Sequence, residues 1–275
     1  MDRQNEGILE GKQRERQAEG LRRFREMVAA CERIVFFGGA GVSTESGIPD
    51  FRSVDGLYHQ KYQYPPETIL SHSFFVQRPE EFFEFYFDKL IYPNAEPNTT
   101  HLALARLERE GKLSAVITQN IDGLHQKAGS KRVLELHGSV LRNYCQKCAR
   151  FYSLEEMKER VAEERRAGQE ISQIPRCTCG GRIKPDVVLY EEALKDQVMG
   201  EAVEEIEQAD LLIVGGTSLS VYPAAGLIRY FRGGSRSGGS DKRGGLVLIN
   251  KSETPYDNRA DLVLHMGLGE VFGAL

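Results

Sequence analysis

Short apolar runs, several ending in glycine or a polar side chain, recur along the chain. They are Ile34–Phe37, Ala115–Thr118, Val133–Leu136, Val187–Leu189, Leu211–Val214, Leu246–Ile249 and Leu262–Leu264. Runs of this length without strict alternation are the pattern of strands buried on both faces. Between them the apolar positions shift to helical spacing. Leu21, Phe24, Val28 and Cys31 predict a helix over about 18–31. Asn98 or Thr99 caps a second periodic run that Gly111 ends, predicting a helix over Thr99–Glu110. Further helices are predicted over 192–209 and 223–231. Strands alternating with helices predict an α/β fold, a Rossmann-like parallel sheet with helices on both faces.

Two regions break the rhythm. Residues 51–97 carry Phe74, Phe75, Phe82, Phe83, Phe85, Tyr86 and Phe87, which predicts a helical insertion packed against the sheet. Residues 141–184 hold four of the five cysteines and a charged run from Glu155 to Arg166, and are expected to form a small second module. The larger domain then comprises 18–140 and 185–275. Gly233–Gly245 has the composition of a flexible loop.

Charge and composition narrow the classes. A formal net charge of −4 gives no electrostatic footprint for nucleic acid, so none is expected to bind directly. The first thirty residues are charged throughout, with no apolar core of an export signal. No apolar run approaches the ~20 residues of a transmembrane helix, so a cytoplasmic protein is expected, with no membrane partner.

The cysteines form two close pairs, Cys145-x-x-Cys148 and Cys177-x-Cys179. Four thiolates suit a closed, tetrahedral, structural Zn²⁺ site. Two unrelated pairs, or a redox pair, are the alternative. The second pair must turn more tightly than Cys-x-x-Cys, and Gly180-Gly181 just after it could permit that. The fifth, Cys31, falls on the apolar face of a helix and is expected in the core.

The remaining chemistry lies at strand ends. Ile34–Phe37 runs into Gly38-Gly39-Ala40-Gly41, where glycines would let backbone N–H groups approach a pyrophosphate. A purely structural turn is the alternative. The dinucleotide fingerprint wants a third glycine where Thr44 stands, and no acidic residue closes a following strand, so a redox enzyme fits poorly. Ser43 and Glu45–Arg52 form a polar run read as a mobile loop, with Phe51 and Arg52 suited to closing over a charged ligand. Thr118-Gln119-Asn120-Ile121-Asp122-Gly123-Leu124-His125, Glu135-Leu136-His137-Gly138-Ser139, Gly215-Gly216-Thr217-Ser218 and Asn250 end other strands. Ligands of parallel sheets sit at such carboxyl ends. A strand-end histidine is more often structural than catalytic, yet imidazole is the side chain best suited to accept a proton near neutral pH.

Together these runs resemble the sirtuin family of NAD-dependent protein deacylases, over roughly residues 35–268. The resemblance implies that NAD is consumed as co-substrate, that an acyl-lysine protein or peptide lies between the two modules, and that one structural Zn²⁺ is held by Cys145, Cys148, Cys177 and Cys179. It implies His137 as general base and Asn120 as the group positioning the ribose and a water. Ile121 and Asp122 would hold the nicotinamide carboxamide, with Ala40, Gly41, Thr44, Phe51, Arg52 and Gln119 lining the pocket. Gly216, Thr217, Ser218, Asn250, Lys251 and Leu268 would hold the adenosine half. The peptide would pair with backbone near Val187–Leu189 and Ser218–Val221, as β-augmentation. Products would be free lysine, nicotinamide and O-acyl-ADP-ribose. Rival readings are an ADP-ribosyltransferase or NAD glycohydrolase, and a non-catalytic sensor of NAD or acyl-lysine. Relatives that take acidic acyl groups carry Tyr-x-x-Arg. Here Tyr86-Phe87-Asp88-Lys89 offers lysine, which lacks the bidentate fork for a carboxylate, so acetyl or another neutral acyl group is expected.

Overall fold

The protein is described here from a computed structural model, which covers residues 2–50, 63–166, 173–233 and 244–275. Its framework is a six-stranded, wholly parallel sheet. In chain order the strands are β1 (Ile34–Gly38), β2 (Leu113–Thr118), β3 (Val133–Glu135), β7 (Leu211–Gly215), β8 (Gly245–Ile249) and β9 (Leu262–Leu264), arranged β3-β2-β1-β7-β8-β9. Numbered among themselves, these strands run 3-2-1-4-5-6, the doubly wound order whose direction reverses between β1 and β7.

Successive residues of each strand serve opposite cores. Ile34 and Phe36, Leu211 and Ile213, and Val247 and Ile249 face one, which is completed by Phe24 and Val28 of α1 (Asp2–Ala30), Leu104 and Leu107 of α5 (Thr99–Arg109), and Val271 and Phe272 of α9 (Leu268–Gly273). Val35 and Phe37, Leu212 and Val214, and Leu246 and Leu248 face the other, against Ala202 and Ile206 of α8 (Asp196–Gln208) and the 3₁₀ turn Ala224–Tyr230. Both faces being covered explains why the runs read as continuously apolar. Cys31 is buried in the first of these cores.

The structure differs from the expected pattern in four places. The first helix starts at Asp2 and runs well ahead of residue 18. The segment at 223–231 is a 3₁₀ turn and not an α-helix. Val187–Leu189 is not a strand of the parallel sheet. Only Val187 is in a strand, closing β6 (Ile183–Val187), which pairs antiparallel with β4 (Gly138–Cys145); β5 (Phe151–Ser153) completes a separate three-stranded sheet. An apolar run alone does not distinguish the two sheets. The aromatic segment also packs elsewhere than expected. Its helices α2 (Pro66–Ile69), α3 (His72–Gln77) and α4 (Pro79–Lys89) bury Phe74, Phe75, Phe82, Phe83 and Tyr86 with Val140, Tyr152, Ile183 and Val187 of the small sheet. Met157 of α7 (Leu154–Arg166) joins the same cluster.

Phe83 is the centre of this third core. Its ring meets those of Phe75, Phe82 and Tyr86 edge to face, with centroids 5.2 to 6.3 Å apart, and it is fully buried. Phe83→Ala is expected to cost about 3–5 kcal/mol in unfolding free energy, read by urea denaturation.

Candidate functional site

The crevice at the carboxyl ends of β1 and β7 is set by backbone contact. Gly41 donates from N to Gly216 O at 2.8 Å, and Gly39 donates to Gly215 O at 3.2 Å. Gly216 sits in the left-handed region at φ +61°, and a Cβ there would lie 2.6 Å from Val42 N. The start of the loop expected to be mobile coils tightly: Ala40–Val42 and Thr44–Ser46 are consecutive 3₁₀ turns, and Thr44 Oγ1 donates to Gly41 O. The α5 cap secures it from outside. Asn98 Oδ1 accepts from Thr100 N, while Asn98 Nδ2 donates to Val42 O and Ser46 Oγ. Glu45 Oε1 accepts from Gly269 N. Phe51 and Arg52 lie outside the described residues.

The end of β2 meets this turn through side chains. Ser43 Oγ donates to Asp122 Oδ2 at 2.7 Å and accepts from Asn120 Nδ2 at 3.0 Å. Asp122 Oδ1 accepts from Leu124 N at the start of α6 (Leu124–Ala128). Gln119 reaches across to β7, its Nε2 donating to Thr217 Oγ1 at 3.0 Å. Ile121 turns away and packs against the aromatic core.

His137 stands where the chain leaves β3 for β4. Its Nδ1 is 2.9 Å from Gln119 O. A carbonyl only accepts, so Nδ1 carries the proton and the neutral ring keeps Nε2 as a bare acceptor. Burial lowers the pKa of His137 against a smaller opposing effect of that hydrogen bond, which favours this neutral form. His137, Asn120, Gln119, Asp122, Ala40, Gly41, Thr44, Gly216 and Thr217 thus gather at the carboxyl ends of neighbouring strands. Ser218 is exposed just beyond it. Asn250 follows β8 and donates from Nδ2 to Ser252 O; Lys251 is exposed. Leu268 is different: its side chain is buried in the first core, close to Gly215.

Sequence reasoning gave two groups no role of their own. Ser43 joins Asn120 to Asp122, a role signalled only by its place after the glycine turn. Behind Asp122, His101 of α5 and His125 of α6 are buried with ring centroids 4.7 Å apart. His101 Nδ1 accepts from Asn98 N, whereas His101 Nε2 and both nitrogens of His125 are buried without a hydrogen-bond partner. Desolvation brings His101 down to about 4, with Asp122 opposing, and His125 down to about 3, with His101 adding to the shift. Neither helical spacing nor a motif marks such a pair.

The cysteines do converge. Cys145 Sγ is 3.5 Å from Cys179 Sγ and Cys148 Sγ is 3.6 Å from Cys177 Sγ, and all four lie within 4.8 Å of one another. Tetrahedral thiolates about 2.3 Å from zinc stand about 3.8 Å apart, so the set fits Zn²⁺. The tight second pair is closed by Gly180, left-handed at φ +80°, whose N donates to Cys177 O. Further hydrogen bonds orient the ligands: Lys147 N donates to Cys145 Sγ and Tyr152 Oη to Cys177 Sγ.

The model of the Sir2 family matches residues 39–223, more than half of the chain. The chain belongs to the Sir2 family. The NAD-dependent protein deacetylase of Clostridium perfringens (strain 13 / Type A) is 55% identical over 256 residues, 92% of this chain and 97% of that relative. A solved Sir2 with a deacetylated p53 peptide and 3′-O-acetyl ADP ribose matches with a TM-score of 0.78 at 39% identity, covering 92% of this chain and 96% of that one. Another, with a p53 peptide and NAD⁺, matches at 0.76 and 39%, covering 92% and 95%. Among the described residues, no helix is long and apolar enough to cross a membrane.

Two outcomes follow from the site. Removing zinc with a chelator leaves four thiols crowded within 4.8 Å of one another at the edge of the third core, so the melting temperature is expected to fall and metal analysis of the untreated protein to give one zinc per chain. The histidine pair makes stability depend on pH. Its folded pKa values are depressed, so below the ordinary value of about 6.5 the unfolded chain binds more protons. Stability present above that pH is expected to drop as pH falls toward 4, in urea titrations, and to drop less in His125→Phe.

Proposed function

We propose that this chain removes acetyl or other neutral acyl groups from protein lysines in an NAD-dependent reaction, releasing nicotinamide and O-acyl-ADP-ribose. The observation that carries the chemistry is the His137 ring: proton on Nδ1, held by the Gln119 carbonyl, and Nε2 free of any described partner. The strand-end donor set fits NAD, which supplies a ribose acceptor for the acyl group and nicotinamide as leaving group. The acyl oxygen of the lysine substrate displaces nicotinamide at C1′. His137 Nε2 then takes a proton from a ribose hydroxyl, whose oxygen attacks the acyl carbon; the lysine amine leaves with a proton, and one water adds to that carbon, so the acyl group stays on ADP-ribose.

Asn120 is assigned to the ribose and a water, and Asp122 with Ile121 to the carboxamide. The Ser43 bridge keeps Asn120 and Asp122 in fixed relation. Ala40, Gly41, Thr44, Gln119, Phe51 and Arg52 are assigned to the pocket. Gly216, Thr217, Ser218, Asn250 and Lys251 are assigned to the adenosine half by their side chains or backbone. Leu268, with a buried side chain, is left its backbone. Excluding water from this crevice protects the positive charge that builds on the ribose. The larger unit, 18–140 with 185–275, would bind NAD, and 141–184 would be the zinc unit, in a cytoplasmic enzyme.

The peptide is assigned to the cleft between the units. Backbone donors at Val188 and Leu189 are already taken by His137 O and Glu192 Oε2, so a peptide strand pairing there uses carbonyl groups. For acyl choice, Tyr86 is fully buried, with an unpartnered hydroxyl, among Phe82, Phe83 and Phe87, and Lys89 pairs with Asp88. Among the described residues Tyr86–Lys89, none offers a guanidinium fork to an acidic acyl chain.

The test is incubation with NAD and a panel of acyl-lysine peptides, with products weighed by mass spectrometry. Acetyl is expected to leave faster than succinyl, with acyl-ADP-ribose as the co-product; free ADP-ribose or an ADP-ribosylated protein instead would sink the reading. His137→Ala is expected to keep NAD binding and lose about 10²–10⁴-fold in deacylation.

A further inference from the structure

Resting on that reading, we propose that Arg142 is a positioning residue for His137, bracing from both sides the crossover on which the imidazole is carried. Its guanidinium spans the two sheets. Nη1 donates to Glu135 Oε2 at 2.7 Å and Nε donates to Asp186 Oδ2 at 3.0 Å. Glu135 is the last residue of β3 in the parallel sheet, two residues before His137. Asp186 lies on β6 of the small sheet, paired with Ser139, two residues after it.

The carboxylates are themselves held. Glu135 Oε1 accepts from Gln126 Nε2 on α6, and Asp186 Oδ1 pairs with Lys195 Nζ ahead of α8. Their side chains are 9% and 13% exposed, and Arg142 is the cation they share; Asp186 has Lys195 as well, so Glu135 depends on the guanidinium more. The guanidinium fork serves two carboxylates at once, which one ammonium cannot do in the same geometry.

Backbone contacts transmit the brace. His137 O accepts from Val188 N, and Leu136 N donates to Thr118 O. Gly138 is left-handed at φ +77° and lies so close to β6 that a Cβ would stand 1.8 Å from Asp186 O. The segment carrying His137 therefore cannot shift without moving β6 against β3, and Arg142 ties those two strands.

In the proposed mechanism nicotinamide departs before His137 acts. Exchange of labelled nicotinamide into NAD therefore reports the first half, and acyl-ADP-ribose formation the whole. Both are measured on the full chain with NAD and an acetyl-lysine peptide, for Arg142→Gln and Arg142→Lys. In Arg142→Gln, deacetylation is expected to fall at least about tenfold, as a small misplacement of a catalytic group does, while exchange stays within about twofold. Arg142→Lys is expected to recover part of the loss, and it carries the comparison if the glutamine variant does not fold. Equal losses in both readouts would make Arg142 a structural residue only, and no loss in either would overturn the brace. A wild-type chain that makes no acyl-ADP-ribose would overturn the deacetylase reading itself, before any variant is compared.

Discussion

The approach of Gly41 to Gly216 governs everything at the carboxyl end of the sheet. The strands on either side of β1 wind away in opposite directions, which opens a crevice there. How wide it opens is set by two loops whose backbones touch, N to O, with no side chain between them. Gln119 can reach Thr217, and Ser43 can reach both Asn120 and Asp122, only because those loops are that close. The glycines therefore act here as spacers between protein segments, whatever else their N–H groups contact.

The large sheet was legible because burial on both faces writes itself into the sequence. Six of the seven expected strand runs, from Ile34–Phe37 to Leu262–Leu264, join it in parallel. The Val187–Leu189 run misled because a strand covered by an aromatic core is apolar in either sheet. The aromatic segment misled for a related reason: composition says that Phe82 and Phe83 are buried, and not against what. The four cysteines were legible as a set, since thiolate pairs at short spacing have few other uses. The site's motif residues were legible as a group, but their mutual geometry was not. Nothing in a linear string says that Asn98 caps a helix with one side-chain atom and ties the glycine turn with another, or that His101 meets His125.

The histidine pair and the catalytic candidate illustrate two uses of the same physics. Desolvation keeps all three rings neutral near pH 7. Only His137 also has a carbonyl that selects its tautomer and an Nε2 that no described residue occupies. His101 also has one oriented partner, Asn98 N on Nδ1, but its Nε2 is buried, so what sets His137 apart is the nitrogen left open opposite its partner.

The small sheet leaves and rejoins the large unit through neighbouring points, since Gly138 and Val187 are partners in one antiparallel pair. Such partners stand about 5 Å apart. The segment between them is thus a cassette, spliced into the parallel fold at a site no wider than one strand pair. Evolution or an engineer could lengthen, shorten or exchange it without re-threading the six-stranded sheet, provided the replacement brings its two ends out side by side, keeps a partner for Glu135 and still covers the aromatic rings of α3 and α4.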